Sequence, residues 1–241
     1  MVKSIETITL ADAYKQAIQY IIWNHRDLKT EDDERVWRSK DTLIIHVDDP
    51  CRDLDILVDY YPMGYQGMST YVDEVMGNDS RETKNTSDDF CYTYHERLCT
   101  YEVLTNEKVE AADGIIRYYT RLHIIDQIEE IIKRLNSSQS TRRACAITWR
   151  PYEDNYINTH SPPCLQWIKC EIVNDELNMY TLWRSRDILL GMGANIYALH
   201  HLHREIAARC QCAVGFYEDI NADAHIYYKR DWNYLKRWMS E

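Results

Sequence analysis

Two runs of strand-forming residues, 165–173 (LQWIKCEIV) and 177–184 (LNMYTLWR), flank the dipeptide Asn174-Asp175. Asn and Asp accept the left-handed backbone of the tight turns that join antiparallel strands. The pattern therefore predicts a β-hairpin, and the rest of the chain must be arranged around it. A short apolar, β-branched run at 42–47 (TLIIHV) is expected as a buried strand, with further strands at 144–149, 213–217 and 224–228. Helical spacing appears in three places. Thr9 and Asp12 form a capping-box-like start for Leu10, Tyr14, Ala17, Ile18 and Ile21. Ile128, Ile131 and Leu135 continue a helix from Ile124, and Ile196, Leu199, Leu202 and Ile206 mark another over 195–210. The polar stretch 77–89 (GNDSRETKNTSDD) is expected as a surface loop. Strands interrupted by helices without strict βαβ alternation predict an α+β fold, read as a single domain over 1–241.

Composition narrows the partners. Hydrophobic residues at 45% supply a core, while a net charge of −11 repels a polyanion at long range, so nucleic acid is not an expected partner. An anionic small molecule held by a local arginine cluster fits that balance. No apolar run reaches the roughly 18 residues of a membrane span. Lys3, Glu6, Asp12 and Lys15 interrupt what would be a signal-peptide core, so a cytoplasmic protein is expected. Eight cysteines without a CxxC pair read as reduced thiols.

Three groups of residues carry chemistry. Lys133, Arg134, Arg142, Arg143 and Arg150 crowd one interval, and Arg184-Ser185 closes a predicted strand. Arginine forks suit phosphate, although a solvated helix end with interface ion pairs is the more usual explanation of such a cluster. Cys164 follows Pro162-Pro163, a rigid presentation for a thiol; a lone cysteine is otherwise a small buried hydrophobe. His200, His201 and His203 precede Cys210 and Cys212, but without HExxH or CxxC a solvated or interface helix face is expected and no metal. No GxGxxG or P-loop is present, which disfavours nicotinamide and triphosphate chemistry.

The order of these pieces is more specific than any one of them. Along the chain stand Thr141-Arg142-Arg143, Pro162-Pro163-Cys164, Gln166, Arg184-Ser185-Arg186-Asp187, Leu190-Gly191, Asn195, and the run DAHIYY over 223–228. In content, order and spacing this resembles the thymidylate synthase family, over roughly residues 140–228, with short archaeal-type members the nearest in form. The resemblance implies a mixed β-sheet flanked by helices and a homodimer packed through its sheets. It implies reductive methylation of dUMP at C5, with 5,10-methylenetetrahydrofolate or methylenetetrahydromethanopterin as donor. A pyrimidine nucleotide hydroxymethylase and a noncatalytic nucleotide-binding or RNA-regulatory relative are the alternatives.

Roles follow residue by residue from the same resemblance. Cys164 is similar to the nucleophile that adds to C6, and Arg184 and Ser185 to phosphate ligands. Arg142 and Arg143 resemble a pair reaching the phosphate across the dimer interface. Asn195 is similar to the amide that reads uracil, His225 and Tyr227 to sugar contacts, and Asp187 to the aspartate ordering pyrimidine and folate. Tyr94 and Gln166 are further candidates, and Glu74 and Glu96 compete for the family's glutamate. The chain departs from the pattern at Leu165 (usually His), at Gly193-Ala194 (usually Pro-Phe) and at Trp183 (usually Gln). The residues after Tyr228, with Trp232, Tyr234 and Trp238, are expected as a terminal helix on the core or a shortened lid in place of a long tail.

Overall fold

The first helix shows how local signals become structure. Thr9 has extended backbone and its hydroxyl accepts from the Asp12 amide at 3.1 Å, so the cap starts α1 where the sequence places it. Tyr14, Ala17, Ile18 and Ile21 then lie wholly buried. The computed structural model describes residues 1–78, 92–110, 115–156 and 161–239. Its elements begin with β1 (Val2–Thr7), α1 (Leu10–Trp23), β2 (His25–Lys29), β3 (Arg35–Ser39) and β4 (Thr42–Val47). Three helices follow, α2 (Leu54–Tyr60), α3 (Gly64–Met76) and α4 (Tyr94–Cys99), then the hairpin β5 (Tyr101–Glu110) and β6 (Ile116–Ile125). Next come α5 (Gln127–Ser137), β7 (Cys145–Ile147), α6 (Pro151–Asp154), β8 (Leu165–Val173) and β9 (Glu176–Trp183). The chain continues through β10 (Arg186–Asp187), α7 (Met192–Arg209), β11 (Ala213–Asn221), β12 (Ala224–Ile226) and α8 (Trp232–Leu235), the last running into a 3-10 turn.

A six-stranded mixed sheet, ordered β1-β4-β11-β9-β8-β7, forms the frame. Its inward positions, among them Leu43, Ile45, Leu177, Met179 and Tyr217, are buried, and α1, α5 and α7 pack across that face. The outward positions Ile44, Trp167, Leu182, Phe216 and Ile220 are only half-buried. A four-stranded sheet, β10-β12-β3-β2, stands beside it, and β5 pairs with β6 alone. The mixed sheet and its helices fit a thymidylate-synthase-like α+β fold, distributed over three sheets.

Differences from the sequence reading have local causes. The helix expected from Ile124 begins at Gln127, because Asp126 accepts from the Glu129 amide at 2.8 Å and leaves Ile124 and Ile125 in β6. The strand expected over 144–149 shortens to Cys145–Ile147, since Pro151 opens a short helix. The helix expected at Asn195 starts at Met192, which places Asn195 in its first turn. Of the loop expected at 77–89, Gly77 caps α3 and residues 79–89 lie outside the described residues. The C-terminal aromatics form a helix on the core: Trp238 is buried edge-on against Tyr14 and Tyr60, at 6.0 and 5.6 Å between ring centres. Among the described residues, no helix is long and apolar enough to cross a membrane.

His200 and His203 correct a further expectation, for both are buried within α7 and do not form a solvated face. His203 Nε2 donates to the Leu177 carbonyl at 2.5 Å, tying α7 to β9. Burial lowers the pKa of His200 to about 3 and that of His203 to about 4. Below the unfolded value, near 6.5, the unfolded chain therefore binds protons that the folded chain refuses. Stability must fall with pH across that window, by up to about 1.4 kcal/mol per pH unit for each histidine. Urea unfolding between pH 6.5 and 5 should show this slope, and His203→Gln should remove about half of it. A slope unchanged by His203→Gln would show that this ring titrates elsewhere.

Candidate active site

The β8–β9 hairpin turns at Asn174 and Asp175, with φ of 53° and 61°, both in the left-handed region. Pairing runs evenly from Val173↔Glu176 to Trp167↔Leu182, then shifts by one at Leu165↔Trp183. Gln166 is the extra residue of this bulge. The shift sets Cys164 opposite Arg184, whose amide donates to the Cys164 carbonyl at 2.9 Å. Gln166 Nε2 donates to the Pro163 and Leu165 carbonyls at 2.7 and 3.3 Å, and the Leu165 amide donates to the Tyr94 hydroxyl at 3.1 Å.

Arg184 faces the same loop. Its Nε donates to Pro163 O at 2.9 Å and its Nη2 to Pro162 O at 2.6 Å, while Nη2 lies 3.9 Å from Cys164 Sγ. Burial pushes the thiol above its usual range. Arg184 and then Arg186 oppose the shift, and Asp187 and Asp223 add to it. In the free protein the cysteine is thus held as a thiol beside two fixed positive charges.

Asp187 ends β10 beside α7. Its Oδ1 accepts from the Leu189 and Leu190 amides at 3.0 and 3.2 Å, and its Oδ2 pairs with Arg230 at 2.9 Å. Burial still raises its pKa, against the pull of His225 and Arg230. Gly191 permits this approach, because a Cβ there would stand 2.7 Å from the Asp187 carbonyl oxygen. His225 and Tyr227 meet edge to face at 4.9 Å, and Arg230 lies 4.1 Å over the Tyr227 ring. Burial, then Asp187, pushes the Tyr227 hydroxyl up to about 12.

Asn195 Nδ2 donates to the Tyr71 hydroxyl at 2.7 Å, and Arg186 Nε donates to Asn195 Oδ1 at 3.3 Å. Arg186 is buried, ion-paired with buried Asp219, and stacked 3.8 Å from the Trp183 ring. Arg186 thus bonds the Asn195 amide and also lowers the pKa of the Cys164 thiol.

The thymidylate synthase family model matches residues 16–238. The chain belongs to the thymidylate synthase family. It is 30% identical over 240 residues to a protein of Methanocaldococcus jannaschii, covering 98% of this chain and 96% of the relative. A protein of Methanococcoides burtonii is 28% identical over 97% of this chain and 93% of its own length. Both relatives carry the name "Putative thymidylate synthase". Membership makes the chain an enzyme of the methyl- or hydroxymethyl-transferring kind.

Within that family frame, the fold gathers Cys164, Arg184, Arg186, Asp187, Asn195, His225 and Tyr227, with half-buried Ser185 between the two arginines. Arg142 and Arg143 are not gathered. They are exposed before β7, whose Cys145 pairs with Lys169, well along β8 from the thiol. Arg150 is buried and holds Glu96 and Glu153 at 3.3 and 3.5 Å, so Glu96 serves an ion pair and Arg150 is no surface cation. Glu74 lies one turn from Tyr71 and raises its pKa, which leaves it the better placed of the two glutamates. Gln166 is spent on the bulge. Two departures from the family pattern also find reasons: Trp183 backs Arg186, and Gly193 leaves room for the Tyr61 ring, which a Cβ would meet at 2.6 Å.

Arg186 and Tyr71 are the residues that sequence reasoning passed over. Arg186 was visible inside the RSRD run; Tyr71, 124 residues from Asn195, carried no signal. The electrostatics give a direct test. Arg184→Leu and Arg184→Lys both lose the fork on the proline carbonyls, but only Lys keeps the charge that lowers the thiol pKa. Alkylation of Cys164 by iodoacetamide at pH 8, read by peptide mass spectrometry, should be slower in Arg184→Leu by about threefold or more. Equal rates would show that charge at this position does not govern the thiol.

Proposed function

We propose that this chain, acting as a single domain, is a cytoplasmic thymidylate synthase that converts dUMP to dTMP by reductive methylation at C5. The observation that supports it most is Arg186, which bonds the Asn195 amide and lowers the pKa of the Cys164 thiol, with Arg184 Nη2 3.9 Å from that thiol. Cys164 gives up its proton to solvent, its thiolate adds to C6 of the pyrimidine, and the negative charge passes to O4. The Asn195 Nδ2 hydrogen donates to that oxygen and stabilises the enolate. Arg184 and Ser185 hold the phosphate, and His225 and Tyr227 the sugar.

The donor would lie beside Asp187, whose half-buried carboxylate suits the N–H donors of a pterin ring and also raises the pKa of the Tyr227 hydroxyl. A methylenated folate or pterin supplies the one-carbon unit and then the hydride. Asp187 would orient it, and Tyr92 and Tyr94 stay protonated through burial beside the thiol. The C5 proton passes to solvent, and the Cys164–C6 bond breaks, returning the thiolate, as the hydride completes the methyl group. Cys164→Ala should abolish tritium release from C5-labelled dUMP while dUMP binding persists, and the wild-type product should gain CH₂ over dUMP. A gain of CH₂O would make the enzyme a hydroxymethylase, and turnover by Cys164→Ala would remove the covalent step.

A homodimer completes the phosphate site in this reading. Arg142 and Arg143 stand exposed before β7, at the end of that strand where Cys145 pairs with Lys169, away from Cys164, and the outward face of the main sheet carries Trp167, Leu182, Phe216 and Ile220 half-exposed. Packing two such faces would bury that surface and carry Arg142 and Arg143 of one copy to the other's phosphate. Mixing Cys164→Ala with Arg143→Ala protomers should restore activity in verified heterodimers, because one of the two sites is then intact. No recovery would leave these arginines as surface charge.

A further inference from the structure

Asn195 is held from its two ends by groups of unlike chemistry. The oxygen end accepts from Arg186 Nε at 3.3 Å, and the nitrogen end donates to the Tyr71 hydroxyl at 2.7 Å. A guanidinium carries donors only and keeps its charge at every working pH, so it can face only the oxygen of an amide. A tyrosine hydroxyl donates and accepts, so it tolerates either end. The direction of the amide is therefore set by Arg186.

Arg186 is itself held through Nε and Nη1, while its buried Nη2 has no hydrogen-bond partner among the described residues. It is 2% exposed and ion-paired with Asp219, which is 0% exposed. Nη1 also donates to Asn221 Oδ1 at 3.3 Å, and the Thr181 hydroxyl donates to Asp219 at 2.6 Å. Trp183 closes one face of the guanidinium at 3.8 Å. Removing the charge or turning the fork would leave Asp219 buried and unpaired, which is costly.

We infer that Arg186 is a positioning residue that selects uracil over cytosine by forbidding rotation of the Asn195 amide. The inference rests on the assignment of Asn195 as the group that meets the base. Once both flanking bonds are made, the amide keeps one hydrogen on Nδ2 and one lone pair on Oδ1. Uracil matches this order, since its O4 accepts and its N3–H donates. Cytosine presents the opposite order, an amino donor at C4 and an acceptor at N3. An asparagine alone reads cytosine by turning its amide over. Here that turn would set Nδ2 against Arg186, two donors facing in a buried site. Discrimination thus comes from a clash built against the wrong base as well as from the match to the right one.

Calorimetric affinities for dUMP and dCMP, with C5 tritium release from both, test the inference in four proteins. Arg186→Gln keeps an amide that bonds Asp219 yet offers either a donor or an acceptor to Asn195. Its preference for dUMP should fall about tenfold or more, chiefly through tighter dCMP binding. Arg186→Met with Asp219→Asn removes both buried charges together and should behave alike. Tyr71→Phe should weaken both nucleotides and leave their ratio within about twofold, because the hydroxyl tolerates either direction. Asn195→Asp should move the ratio toward dCMP. An unmoved ratio in Asn195→Asp sinks the base-reading assignment itself. A ratio moved by Asn195→Asp but not by the folded Arg186 variants sinks the role of Arg186 alone. Loss of preference in Tyr71→Phe would transfer the restriction to Tyr71 and overturn the inference as stated.

Discussion

The register of the β8–β9 hairpin decides where the chemistry stands. A turn of two left-handed residues, Asn174 and Asp175, fixes the pairing at one end, and the bulge at Gln166 offsets it at the other. Without the bulge, the even register would set Cys164 opposite Ser185 and Leu165 opposite Arg184. With it, Cys164 faces Arg184, and the arginine closes on the carbonyls of Pro162 and Pro163. The prolines leave the loop few backbone states, so two hydrogen bonds suffice to hold the thiol where the guanidinium can act on it. One local irregularity thus joins the candidate nucleophile to its electrostatic partner, and Gln166 and the Tyr94 hydroxyl hold that irregularity in place.

What could be read from the sequence follows the reach of each interaction. The α1 cap, the hairpin and the ordered run from Pro162 to Tyr228 depend on neighbours within a few residues, and their signals are local. The parallel pairing of β1 with β4 joins Val2 to Thr42, and the Asn195–Tyr71 bond spans 124 residues; neither leaves a pattern in composition or spacing. Helix ends moved by about three residues where a cap such as Asp126 outweighed apolar periodicity. The histidines of α7 misled for another reason. Their polarity suggested a solvated face, whereas burial keeps both rings neutral; His203 finds the Leu177 carbonyl, and His200 is buried with neither ring nitrogen bonded among the described residues.

The charges of the site are divided between those already satisfied and those left for a ligand. Arg186 is neutralised by Asp219, and Arg230 by Asp187 and Asp231. Arg184 is different: its partners are carbonyl oxygens, which hold the guanidinium in place without cancelling its charge. In a chain of net charge −11, a dianionic phosphate is repelled at long range and must be held by such uncompensated cations at short range. One guanidinium is a thin complement for a phosphate carrying close to two negative charges. Arg142 and Arg143 are exposed and, among the described residues, form no ion pair, so they too keep their charge for another molecule. The proposed dimer would bring them to the phosphate that Arg184 begins to bind. On that argument, the half-exposed apolar face of the main sheet and the thinness of the phosphate site within one chain have a single physical resolution.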